Sequence, residues 1–266
     1  MTTLAPEPTA PAPSPSPAPV STPPDDDKRM TVVEHLTELR RVLIISMLAW
    51  GVATVAAAVF NGQIIHALER PLLNVLDSSK FISKVPIVTS PTEPITIPLK
   101  VALITGFIGA LPVILWQVWT FVSPGLRAAE RKFAGPFIGS SLLLFGMGGA
   151  FAYFVMPVGL SFLANFLGGN ASFLPDLNAY LSFFTLLIVI FGVTFELPVV
   201  VVLLGVLGIV SSKKLRAWRK GIWVGIIFVA FVVTPGADPI TPTALLIPLI
   251  ALFEGSVLVL DKVFKR

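Results

Sequence analysis

Three acidic residues stand where their neighbours give them chemical possibilities. In FGVTFELPVVVVL, residues 191–203, Glu196 is the single carboxylate of a long apolar run. An ionised carboxylate taken out of water costs on the order of several kcal/mol unless it is paired, and an acid inside a membrane marks a functional position by default. No lysine or arginine lies deep in an apolar segment to neutralise it. Glu196 must therefore be protonated, bonded to hydroxyls such as Thr194 or Thr185, or turned towards water.

The second acid is Glu38 in TVVEHLTELRR, residues 31–41. Thr31 and Glu34 have capping-box spacing, so a helix starts there and runs into the first apolar segment. His35 and Glu38, three apart, share one face, while Leu36, Leu39 and Leu43 line another. The third is Glu130 in FVSPGLRAAERK, residues 121–132. Ser123 followed by Pro124 reads as a helix start, which places Glu130 in the second turn among Arg127, Arg131 and Lys132. Both acids have a plainer alternative: Glu38 as the partner of Arg41 on a solvated entry helix, Glu130 as half of a surface ion pair, either worth under about 1 kcal/mol. Asp238, Glu254 and Asp261 are less informative, since Asp238 falls in a turn and the others approach a membrane boundary.

Several function classes are excluded. The two histidines, His35 and His66, fall on opposite sides of the membrane in the topology below, so they cannot share a metal or acid–base site. There is no cysteine, no G-x-S-x-G, no H-E-x-x-H and no Gly-rich loop ahead of a Lys-Ser/Thr pair. Neither enzyme, metal site, cofactor nor nucleic-acid partner is expected.

The elements that must position these acids are membrane helices. The chain of 266 residues is 55% hydrophobic and only 13% charged, about half the usual charged share of roughly 25%. Apolar runs approach or exceed the roughly 20 residues needed to cross hydrocarbon, and the short alternating segments of a barrel are missing. Six apolar segments are expected: 42–60, 98–122, 133–156, 179–210, 221–233 and 243–260. The last two are short, and Pro198 releases the Thr194 carbonyl so that the fourth bends just past Glu196. The fold class is an all-α membrane protein, a concave bundle with one under-filled wall. Lysine and arginine concentrate before the first segment, between the second and third, between the fourth and fifth, and at the end. By the positive-inside rule both termini are cytoplasmic. Residues 1–29 form a proline-rich disordered tail, and 30–266 the six-helix membrane domain. Ile64, Ile65, Leu68, Leu72 and Leu76 make one apolar stripe, expected to lie in the membrane interface. The proline-rich VPIVTSPTEPITIP after it is expected to form an extended cap.

EHLTELR, SPTEP at 90–94, LPVILWQVWTFVSPGLRAAER at 111–131, FGVTFELPVVVVLL and TPGADP occur in order and spacing from about Met30 onwards. Together they resemble the TatC family, the receptor core of twin-arginine protein translocation. The resemblance implies a bacterial inner-membrane protein that works with TatA and TatB, assembles as a homo-oligomer within a larger complex, and exports folded proteins on the proton-motive force. It implies that Glu38 and Glu130 bind the twin-arginine signal peptide, with His35, Leu39, Arg40 and Phe121 nearby. It further implies that Glu196 docks partner helices and that Asp238 is the acid of the last periplasmic turn. Two positions depart from the family pattern: Pro242 replaces a common glutamine, and RAA precedes Glu130. The alternative is a proton-coupled secondary transporter using Glu196 as relay, although the internal repeat common in such folds is not visible.

Overall fold

The computed structural model describes residues 32–78, 85–125, 134–166, 174–234 and 239–262. The proline-rich tail, the Thr31 cap, Glu130 and Asp238 lie outside the described residues. The described helices are α1 (Val32–Val59), α2 (Asn61–Ser78), α3 (Glu93–Val122), α4 (Ala134–Phe166) and α5 (Leu177–Phe195). They continue as α6 (Leu197–Val206), α7 (Ser212–Ala217), α8 (Arg219–Val233) and α9 (Ile240–Lys262). Among the described residues, extended pairing is confined to one isolated bridge, Ile87 with Asp176.

Five helical stretches are long and apolar enough to cross a bilayer: α1, α3, α4, α5 with α6, and α9. Their outer faces carry large exposed apolar side chains, among them Leu43, Met47, Val52 and Val55 of α1, as helices solvated by lipid must. Of the two segments expected to be short, the sixth is the 23-residue α9 and is long enough to cross, while the fifth is α8, whose 15 residues reach only about 22 Å. That falls short of a core of roughly 30 Å. The third helix runs ten residues beyond the expected end, to Phe166. The fourth stops early, because Gly208 adopts φ 77° and turns the chain out of α6, with Ile209 N–H returning to the Leu204 carbonyl at 3.0 Å. The residues 211–214, expected as a plain connector, open a six-residue helix, α7. The Ser211 hydroxyl accepts from Lys214 N–H there, at 3.3 Å.

Small residues permit the tightest crossings, as membrane helices without a hydrophobic drive between them require. A Cβ on Gly106 of α3 would lie 2.5 Å from Thr54 Cα of α1. One on Gly148 of α4 would lie 2.5 Å from the Phe191 carbonyl oxygen of α5. Side chains on α1 and α2 also donate across the gap. Trp50 Nε1 reaches the Leu103 carbonyl at 2.8 Å, and Asn61 Nδ2 the Pro98 carbonyl at 2.7 Å. Phe184 and Phe191 of α5 with Leu245, Leu249 and Phe253 of α9 fill the core.

The stripe on α2 meets protein rather than the membrane interface: Leu72 and Leu76 are fully buried against the core, and Ile64, Ile65 and Leu68 pack on it. Pro71 inside α2 lacks an N–H, so it leaves the Ala67 carbonyl without its helical donor. The Tyr153 hydroxyl of α4 donates to that carbonyl at 3.2 Å, and Tyr180 of α5 donates to Leu68 at 2.8 Å. A proline that weakens α2 as a helix thus fastens it to two neighbours. Beyond it, the chain expected to be extended over 85–98 is non-helical only as far as residue 90; Pro91 and Thr92 form a turn and residues 93–98 already belong to α3. Ile87 N–H donates to the Pro175 carbonyl at 3.0 Å, and Leu177 N–H donates to the Ile87 carbonyl at 2.9 Å.

Candidate functional site

The α5–α6 junction falls on Glu196. Pro198 is the second residue of α6 and cannot donate to Thr194, so the helix closes at Phe195 and reopens at Leu197. Glu196 keeps near-helical backbone angles, φ −72° and ψ −10°, and its carbonyl accepts from Val200 N–H at 3.1 Å. The break therefore bends the path without severing it. Its side chain enters an apolar groove of about 230 Å³. The walls come from α3 (Leu115, Trp119), α4 (Phe137, Ser141) and α6 (Val199, Leu203). Trp119 and Phe137 close one side, their rings 5.1 Å apart.

Of the three options for this acid, the hydroxyl partner expected from sequence changes identity. Thr194 donates to the Ile190 carbonyl and Thr185 to the Leu181 carbonyl, both at 2.6 Å, so both are committed to their own helix. The hydroxyl that shares the groove with Glu196 belongs to Ser141 of α4, which is buried. It was passed over because it lies in a run read only as apolar; the adjacent pair Ser140 and Ser141 was the available signal. Glu196 Oε1 is buried without a hydrogen-bond partner among the described residues. A groove lined by apolar side chains, with one carboxyl oxygen left unmatched, is suited to an apolar helix that brings a single polar group.

The second cluster lies at the paired ends of α1 and α3. His35 of α1 stacks on Phe121 of α3, with ring centroids 4.2 Å apart and planes 19° from parallel. Glu38, one turn on, is half-buried, and its Oε2 is buried without a partner among the described residues. The expected alternative of a Glu38–Arg41 pair is absent from the ion pairs among those residues. Leu39 and Arg40 are exposed. Ser123, read from sequence as a helix start, instead ends α3: its hydroxyl donates to the Thr120 carbonyl at 3.0 Å, and Ser123–Gly125 forms one 3₁₀ turn. Trp119 and Val122 border the groove and flank Phe121, so one turn of α3 serves both clusters.

Two further acids emerge only in three dimensions. Glu93, 3% exposed, accepts from Thr89 N–H and Ser90 N–H, both at 3.1 Å. Asp176 caps α5 by accepting from Ala179 N–H at 2.6 Å and takes the Thr89 hydroxyl at 2.7 Å. Those bonds hold its carboxyl below the usual range, the Ala179 N–H contributing most. At the other end of the bundle Arg219 pairs with Glu254 and Arg216 with Asp261, tying α7 and α8 to α9.

Comparison with known proteins finds similar sequences and a similar fold. The model of the family described as Sec-independent protein translocase protein (TatC) matches residues 34–248. A Sec-independent protein translocase protein TatC from Frankia casuarinae is 37% identical over 242 residues, 88% of this chain and 66% of that protein. The TatC of Escherichia coli K12 is 38% identical over 224 residues, 84% of this chain and 85% of that protein. A crystal structure of the twin-arginine translocase receptor TatC superposes with a TM-score of 0.72 at 35% identity, covering 88% of this chain and all of that one.

Proposed function

This chain belongs to the TatC family of Sec-independent protein translocases, and from that premise we propose that it is the receptor core of twin-arginine translocation in a bacterial inner membrane. Members of the family are translocase components and not enzymes. The observation that carries the receptor reading is Glu38: a carboxylate with an unmatched buried oxygen, on a helix fixed to α3 by the His35–Phe121 stack. A twin-arginine signal peptide presents two planar forks. Glu38 accepts one through paired hydrogen bonds, and Glu130 accepts the other. Lysine would keep the charge and lose the fork, so a twin-lysine peptide binds less well. Arg40 and Arg41 compete for the same acids, which makes binding salt-sensitive.

Glu196 and its groove receive the membrane helices of TatA and TatB. A polar group on such a helix meets the free Oε1, worth about 1 kcal/mol in hydrocarbon and more useful for registry than for affinity. Asp238 closes the last periplasmic turn, several copies assemble in a larger complex, and the proton-motive force drives export of the folded passenger.

In this reading α8 is the short fifth of six crossings, and both termini are cytoplasmic. Support comes from the lysine and arginine asymmetry and from the Arg219–Glu254 and Arg216–Asp261 pairs, which gather charge at one end. Cysteines placed at Ser83 and Asp238 react with an impermeant maleimide from outside the cell, and one at Ser212 does not; the opposite pattern removes the topology. The receptor assignment is tested by photo-crosslinking a twin-arginine signal peptide to positions around Glu38 and Phe121, with a twin-lysine control. Equal crosslinking by the two peptides, or small-molecule uptake that depends on Glu196, would favour the transporter alternative.

A further inference from the structure

The corner between α7 and α8 has a charge surplus that the receptor function does not use. Residues 213–220 carry five cations: Lys213, Lys214, Arg216, Arg219 and Lys220. Asp261 takes Arg216 and Glu254 takes Arg219. Lys213, Lys214 and Lys220 are exposed and have no ion-pair partner among the described residues. Between them Trp218, at the α7–α8 junction, is 73% exposed. An indole at a membrane–water boundary places its ring among the headgroups.

Below this corner the exposed face of α8 is apolar. Lys220, Val224, Phe228 and Phe231 follow one another at helical spacing on one side, and the three apolar members are each more than half exposed. Ile226 and Ala230 are the buried residues of α8, on the opposite side. A cation therefore heads an apolar stripe, with two more cations and an indole beside it. On the six-crossing reading proposed above, α8 is also shorter than the hydrocarbon core, and thinning of the bilayer at this wall would draw headgroups towards the lysines.

We propose that the α7–α8 corner is a binding site for an anionic phospholipid. The phosphate lies among Lys213, Lys214 and Lys220, the glycerol region lies against Trp218, and one acyl chain runs along Val224, Phe228 and Phe231. The charge complementarity is that of a lipid-binding basic cluster. The apolar stripe distinguishes the site from one for a free phosphate. Such a lipid would extend the short wall of the bundle with a second, non-protein layer.

The full chain, purified in detergent and offered equimolar phosphatidylglycerol and phosphatidylcholine, is examined by native mass spectrometry. Phosphatidylglycerol is retained preferentially. In K213Q/K214Q/K220Q that preference falls by roughly tenfold or more, with elution volume and Tm unchanged. Trp218→Ala, which leaves every charge in place, lowers it several-fold, and millimolar glycerol phosphate displaces no lipid. An unchanged ratio in the triple variant overturns the site. No effect of Trp218→Ala reduces it to diffuse charge attraction, and displacement by glycerol phosphate makes it an anion site without lipid selectivity. If the triple variant fails to fold, Lys220→Gln and Trp218→Ala decide the question alone.

Discussion

Two pairs of carboxylates divide the molecule. Glu93 and Asp176, at the starts of α3 and α5, have donors on both oxygens: backbone N–H groups of Thr89, Ser90 and Ala179, with the Thr89 hydroxyl between them. Glu38 and Glu196 each keep a buried oxygen with no partner among the described residues. An unmatched buried acceptor costs stability, so it persists where something else will complete it. In the function proposed above, satisfaction rather than burial separates the acids that hold the fold from those that receive a partner. Glu93 is the more buried by far, and it is structural.

That division is open to test. The largest effect is expected at the α1–α3 end. Glu38→Ala and Glu130→Ala lower precursor affinity by roughly 2–5 kcal/mol where the arginine is left desolvated. Both variants keep the same Tm in detergent, and binding of a fluorescent twin-arginine peptide reads the loss. Unchanged affinity in the double variant would remove Glu38 from the receiving class. Next comes Glu93→Ala, which strands the Thr89 and Ser90 N–H groups. It should lower stability by about 1–3 kcal/mol, visible as a drop in Tm, without altering peptide affinity measured below that Tm. A variant that lost peptide binding while keeping its Tm would break the comparison from the other side.

Smaller differences sharpen it. Glu196→Gln keeps a polar group in the groove and retains most partner crosslinking, whereas Glu196→Ala loses about 1 kcal/mol of partner association with peptide binding intact. Ser141→Ala, removing the hydroxyl opposite, has an effect of the same sign and smaller size. Asp176→Ala removes an N-cap and costs about 1 kcal/mol of stability. Because the folded carboxyl of Asp176 lies below its ordinary value of 3.8, its contribution is fully present above that pH. It is lost as pH falls through the depressed folded value. Asp176→Asn should therefore lower stability at neutral pH and converge on the parent as acid protonates the Asp176 carboxyl, which flattens the acid side of the profile.

The legibility of these residues in the sequence follows from how local their causes are. Glu196 stood out because one charge in an apolar run is visible by inspection, and its helix break was legible because Pro198 acts on the residue four before it. Glu38 and His35 were placed on one face by spacing alone. Ser141, Glu93 and Asp176 were not found, since a serine in a span and an acid beside prolines look ordinary until another element arrives. The stripe on α2 was correctly read as a stripe and wrongly given to the membrane, because hydrophobicity does not say whether lipid or the neighbouring helices α3, α4 and α5 will cover it. At Ser123 the serine before a proline closes α3 and leads into a 3₁₀ turn, as such a pair can close a helix as well as open one; the expected helix through Glu130 lies outside the described residues.

By itself, then, the sequence determined the quantities set by composition and near neighbours: a helical membrane protein, the approximate spans, the break at Glu196, and the charge asymmetry that argues for orientation. Motif order added the family resemblance. Only the tertiary structure decided which acids are satisfied, which hydroxyl faces Glu196, and that Phe121 stacks on His35 from a helix more than eighty residues away. Hydrogen-bond satisfaction is a property of pairs brought together by packing, and a chain does not carry its partners beside it.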